Sequence, residues 1–82
     1  MRIEFTSHAD QKIKILGRHG VKVTRSLVEE ALLDPERVVL GLGGRQVAER
    51  SLDDEHVLRV VFIKEVNQIR VVTLYPAKRG RY

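Results

Sequence analysis

The sequence predicts an α+β domain in which two N-terminal helices pack on one face of an antiparallel sheet. Three observations predict it. Apolar residues recur at helical spacing from Ala9 to Leu32. From Glu36 onward the period changes to two. Glycine-rich and polar turn signals then separate the apolar runs as hairpins do. The expected order is β-α-α-β-β-β-β, and the sheet face away from the helices is left open to water or to a partner.

Arg2-Ile3-Glu4-Phe5 alternates polar and apolar residues and reads as a short first strand. Thr6 and Ser7 follow, and both are good helix N-caps. Ala9, Ile13 and Leu16 share one stripe of a helix from His8 to about Arg18, and Gly20 is the expected C-terminal cap. Thr24 caps a second helix whose apolar face is Leu27, Val28, Ala31 and Leu32. Asp34-Pro35 ends it, because proline cannot continue a helix and drives the preceding residue out of helical geometry.

Arg37-Val38-Val39-Leu40 is the second strand and Arg45 to Arg50 the third. Gly41-Leu42-Gly43-Gly44 turns between them, its glycines supplying positive φ. It is not a phosphate loop, since no Gly-Lys-Ser/Thr follows and it leads into a strand. Ser51 to Glu55 is another turn. Its Asp53-Asp54-Glu55 reads as a polar turn, because it lacks the spacing of a calcium loop. His56 to Lys64 is a long strand, apolar on both faces and therefore central, with Arg59 as the one charge inside it. Leu58, Val60 and Phe62 point one way, and Val57, Arg59, Val61 and Ile63 the other. Ile69 to Tyr75 is the last strand, closed by Pro76. Regular alternation puts Thr73 and Tyr75 on the face of Ile69 and Val71.

An 82-residue chain has room for a single domain, residues 1 to 82, with a basic tail from Ala77 to Tyr82. It holds 15 Lys+Arg against 11 Asp+Glu. From Arg70 to Tyr82 there are four basic residues and no acid, so the whole net charge of +4 belongs to those last thirteen residues. A basic terminus of this kind suggests a polyanionic partner. Absence of cysteine excludes disulfides, zinc knuckles and thiol nucleophiles. Neither a transmembrane run nor a signal-peptide pattern occurs, so a cytoplasmic location is expected. The three histidines, His8, His19 and His56, lack metal-ligand spacing on any one helix, so no metal and no cofactor are expected.

His8 falls in the first turn of a helix, where the dipole favours the neutral imidazole that a general base needs. Read blandly, it fills space beside the cap. Arg59 is costly among valines unless paired or ending at a wet surface, where its guanidinium can clamp a phosphate. Its bland reading is a salt bridge to Glu49 or Glu4. Thr73 and Tyr75 are the polar members of the last strand. In the tail, Lys78, Arg79 and Arg81 can neutralise phosphates and Tyr82 can stack on an unpaired base.

Phe5-Thr6-Ser7-His8-Ala9, Arg18-His19-Gly20-Val21, Glu30-Ala31 to Asp34-Pro35, and Val71-Val72-Thr73-Leu74-Tyr75-Pro76 with Arg79-Gly80-Arg81-Tyr82 carry a further signal. Together they resemble a small, widespread prokaryotic group of domains related to the RelE/ParE toxins of type II toxin–antitoxin systems. The resemblance spans nearly the whole chain. It implies a fold shared with barnase-like and RelE-like ribonucleases and a site on the sheet face opposite the helices. The positions it carries over are His8, Arg18, Thr73, Tyr75, Arg79, Arg81 and Tyr82. Arg59 and Arg45 join them on physical grounds alone.

The expected function is therefore a toxin-like RNA-binding domain, with metal-independent endoribonuclease activity on mRNA as its catalytic form. The catalytic candidates are His8, Arg59, Thr73, Tyr75 and Arg81. The RNA-binding candidates are Arg18, Arg45, Lys78, Arg79 and Tyr82. The expected partners are RNA, including ribosome-bound mRNA, and a cognate antitoxin protein. The alternative is a non-catalytic peptide or protein interaction module on the same scaffold.

Overall fold

The structure, a computed structural model, describes residues 2–79. Chain order is β1 (Arg2–Phe5), α1 (Ser7–Arg18), α2 (Arg25–Leu33), β2 (Arg37–Leu40), a short 3-10 turn over Leu42–Gly44, β3 (Gln46–Ser51), β4 (His56–Lys64) and β5 (Gln68–Lys78). Both helices begin where a threonine cap is available. Thr6 Oγ1 accepts from Ala9 N and Thr24 Oγ1 from Leu27 N, each at 3.1 Å. The end of α1 is equally local. Val21 N donates to Leu16 O and Gly20 N to Gly17 O, with Gly20 at φ +82°. This is the left-handed glycine stop the sequence predicts.

The five strands form one sheet in the order β1-β5-β4-β3-β2. β2 to β5 are joined by hairpins and pair antiparallel, with β4 in the centre. β1 departs from the expected antiparallel sheet. It pairs parallel to β5, Arg2 with Gln68 through Phe5 with Val71, so the sheet is mixed. No hairpin constrains its direction, because two helices separate it from the meander. β1 therefore takes the free edge of β5 in the direction that lets α1 fold back over the sheet.

The helices cover one face. α1 lies on β5 and β1, and α2 on β4 and β3. Ala9, Leu16, Val28 and Ala31 bury against Leu58, Val60, Val71 and Leu74, while Ala48, Phe62 and Ile69 extend the core beneath Leu32 and Ile3. Among the described residues, no helix is long and apolar enough to cross a membrane.

The last strand differs from its sequence reading in two ways. It runs through Pro76 to Lys78, so Ala77 and Lys78 belong to the sheet rather than to a tail. Pro76 sits opposite Leu58, past the point where β1 ends, so its missing N–H deprives no neighbouring strand. The strand also carries a bulge. Val61 pairs with Thr73 but Phe62 pairs with Val71, which leaves Val72 as an extra residue. The extra residue reverses the alternation. Ile69 and Val71 face the helices, whereas Thr73 and Tyr75 face the open side, not the shared face that regular alternation predicts.

Candidate functional site

The bulge is held by the start of α1. Thr6 N donates to Val71 O at 3.1 Å, and Thr6 Oγ1 donates to Val72 O at 3.0 Å while accepting from Ala9 N. One residue thus caps the helix and clasps the bulge. Two residues later, His8 reaches over the sheet edge that β1 leaves uncovered. Its Nε2 lies 3.1 Å from Thr73 Oγ1. Without Val72 as an extra residue, Thr73 would point into the core and this contact could not form.

Tyr75 shares the open face with Thr73, and the register extends the row across the sheet. Tyr75 is opposite Arg59, Arg59 opposite Glu49, and Glu49 opposite Arg37. The Arg59 guanidinium lies over the Tyr75 ring, 5.6 Å from its centroid. Arg59 Nε approaches Glu49 Oε2 at 2.9 Å, and Arg37 Nε approaches Oε1 at 3.7 Å. The closer contact is an ion pair whose N–H does not point along the N···O line. Neither Arg59 Nε nor Glu49 Oε2 has an aligned hydrogen bond. Glu49 is only 3% exposed, the sole buried charge among the described residues. It is flanked by arginines on both neighbouring strands, as a buried carboxylate requires. No hydrogen bond engages the terminal Nη atoms of Arg59 among the described residues, and its side chain keeps 22% of its surface in water.

Beside this row runs an apolar one: Val39, Val47 and Val61, ending at Thr73 and His8. Thr73 is the diagonal neighbour of Arg59, roughly 7–8 Å away between backbones. His8, Thr73, Tyr75 and Arg59 therefore converge from α1, β5 and β4 on one patch. The patch carries a guanidinium, two hydroxyls and an imidazole. Glu49 entered the sequence reading only as a salt-bridge partner, and Arg37 only as the first residue of a strand. Both could have been found from alternation once the register of β2, β3 and β4 was known.

The other candidates lie elsewhere. Arg18 ends α1, ten residues and roughly 15 Å from His8. There it complements the helix dipole and lines a shallow depression with Gln11, Lys14 and Ile15. Arg45 is exposed at the turn end of β3, and its carbonyl accepts from Gly41 N at 2.8 Å. Lys78 is exposed opposite His56. Arg79 bonds Ser51 Oγ and reaches Glu36 Oε1 at 3.5 Å, so a carboxylate already faces its charge. The Ser51 hydroxyl and backbone N–H, then Arg79, hold the Glu36 carboxyl below its ordinary value. Arg81 and Tyr82 lie outside the described residues.

A separate cleft opens between the α1–α2 connection and the β3–β4 turn, lined by Val21, Lys22, Leu52, Asp53, His56 and Pro76. His56 Nδ1 contacts Asp53 Oδ1 there at 3.0 Å. Backbone N–H groups of Glu55 and His56, together with the His56 ring, hold Asp53 below its ordinary value. This arrangement closes the turn and is remote in sequence and register from His8. No group of three or more metal-ligating side chains occurs among the described residues. No protein-family model, curated protein or solved structure matches the chain.

Proposed function

We infer that the chain is a toxin-like RNA-binding domain whose open sheet face holds single-stranded RNA, mRNA on the ribosome included, and cleaves it without a metal. The RelE-like reading of the fold rests on the sequence resemblance and agrees with the order of elements. One observation carries the functional reading. Four residues selected from the sequence for phosphodiester chemistry, His8, Arg59, Thr73 and Tyr75, meet on one surface through a bulge that no local rule required.

In this reading the Arg59 Nη groups and the Thr73 hydroxyl bind a backbone phosphate. Glu49 is a positioning residue that holds Arg59 over Tyr75. His8 takes the proton from the ribose 2′-hydroxyl as its oxygen attacks phosphorus. The bond to the 5′-oxygen breaks, and the Tyr75 hydroxyl supplies the proton that this oxygen takes up. The products are a 2′,3′-cyclic phosphate and a 5′-hydroxyl end. A cognate antitoxin would silence the domain by covering this face.

The test is cleavage of end-labelled single-stranded RNA, free and ribosome-bound, with EDTA present. Cyclic-phosphate ends are expected, with rates lowered about 100-fold or more in His8→Ala. If the native chain neither cleaves RNA nor binds it in a salt-dependent way, the reading fails. A second reading, a non-catalytic protein-interaction module, is favoured by the pairing of Arg59 with Glu49 and by the apolar row Val39–Val47–Val61. Its binding would be nearly independent of salt, whereas RNA binding weakens steeply.

A further inference from the structure

β2 is an edge strand whose outer side has no partner among the described residues. The two edges of the sheet are unlike. β1 carries Arg2 and Glu4 among its four residues, the kind of charge that discourages edge pairing. β2, by contrast, carries a charge only at its first residue, Arg37, and residues 38 to 44 carry no charge and no proline. The helix layer also stops short of β2, because α2 packs over β3 and β4. Val38 and Leu40 therefore project past the helices. Leu40 is 83% exposed and Leu42 90%, and Val38 is exposed as well.

The backbone decides what can cover this edge. Gly41 N donates to Arg45 O, so Gly41 and Arg45 form a hydrogen-bonded pair. By antiparallel alternation Val39 and Arg37 also direct their N–H and C=O groups at β3. Val38 and Leu40 must then direct theirs outward. Glu36 N is already taken by Glu49 O.

We propose that β2 pairs antiparallel with β2 of a second copy of this chain, about a two-fold axis through Val39. This register sets each Val38 opposite Leu40 of the second copy, and each pair exchanges both backbone hydrogen bonds. Centring on Val38 instead would need the Glu36 N–H that β3 has taken. The side chains and charges match as well. Val38 and Leu40 meet their counterparts on the helix side, Val39 meets Val39 on the open side, and Arg37 faces Gly41 rather than another cation. The sheet continues through the axis as ten strands, with both open faces on one side. A four-residue strand gives a small interface, so the dimer is concentration-dependent rather than obligate. The inference does not depend on the RNA reading.

Sedimentation velocity of the full chain from micromolar to millimolar concentration is the first test, and a monomer–dimer equilibrium is expected. Leu40→Lys, at a side chain already in water, should abolish the dimer while the circular dichroism spectrum stays native. The second test uses the absence of cysteine from the chain. The two Val39 Cα atoms would lie about 4.5 Å apart, within disulfide reach. Val39→Cys should oxidise rapidly to a covalent dimer, and Val66→Cys, on the β4–β5 turn and more exposed than Val39, should not. A native chain that stays monomeric throughout overturns the proposal. So does a dimer untouched by Leu40→Lys, or equal cross-linking of the two cysteine variants.

Discussion

Replacing Glu49 by Gln removes one charge and almost no volume, so it isolates the electrostatic role of the buried carboxylate. Glu49 lies between Arg59 at 2.9 Å and Arg37 at 3.7 Å. Breaking a fully buried pair by deleting one partner costs about 3–5 kcal/mol, because the other charge is stranded. Here both arginines retain water, 22% and 50% of their side-chain surface, so the loss is reduced to about 2–3 kcal/mol. A domain of this length has a total stability of roughly 4–12 kcal/mol, so the loss is a large fraction of it. The midpoint of thermal unfolding should fall by about 10–20 °C. Removing the carboxylate also leaves two arginines on either side of a neutral side chain, so added salt should recover part of the loss. Urea denaturation of the native chain, Glu49→Gln, Arg59→Met and the double variant gives the coupling directly. The double variant should be more stable than the sum of the single losses predicts. A Glu49→Gln loss below about 0.5 kcal/mol, or strict additivity, would refute the argument that Glu49 exists to balance the two arginines.

Two further predictions concern the ends of the site. Thr6→Ala deletes both the cap to Ala9 N and the bond to Val72 O, and should cost about 1–2 kcal/mol in urea denaturation. Thr6→Ser, which keeps the hydroxyl, should recover most of that, and equal losses in the two variants would assign the effect to the methyl group instead. The acid limb of stability should reflect Glu36 and Asp53. Both carboxyls are held below their ordinary values of 4.5 and 3.8, so their contribution is present in full above those values and is lost as pH falls through the lowered folded-state values. Replacing Glu36 by Gln should therefore flatten the decline of the urea midpoint below about pH 4.5 and leave its slope near neutrality unchanged. An unchanged acid limb would contradict the role given to the Ser51 and Arg79 contacts.

Much of the architecture was legible because its causes are local. Thr6, Thr24, Gly20 and Pro35 mark helix ends through bonds and dihedrals within a few residues of themselves. The two apolar faces of His56–Lys64 announce a central strand because both sides of such a strand must avoid water. The candidate residues His8, Arg59, Thr73 and Tyr75 were legible as chemistry, since an imidazole at a helix start or a lone arginine in a strand is visible in one dimension.

Their meeting was not legible. The direction of β1 follows from the free edge of β5 and from the way α1 folds back over the sheet, and no residue in Arg2–Phe5 encodes that. The extension of β5 through Pro76 depends on β1 ending at Phe5, a fact about another strand. Above all, alternation assigns Thr73 and Tyr75 to the wrong face. The extra residue at Val72 exists only where Val61 and Phe62 take their partners, and Thr6, more than sixty residues earlier, fastens it. Likewise the sequence shows that Arg59 needs a counter-charge but leaves Glu4 and Glu49 as equals until the register seats Glu49 beside it. Helix caps and strand periods are properties of neighbours along the chain, and the sequence by itself determines them. Bulges, edge partners and ion-pair choices are properties of neighbours across the sheet, and only tertiary packing decides them.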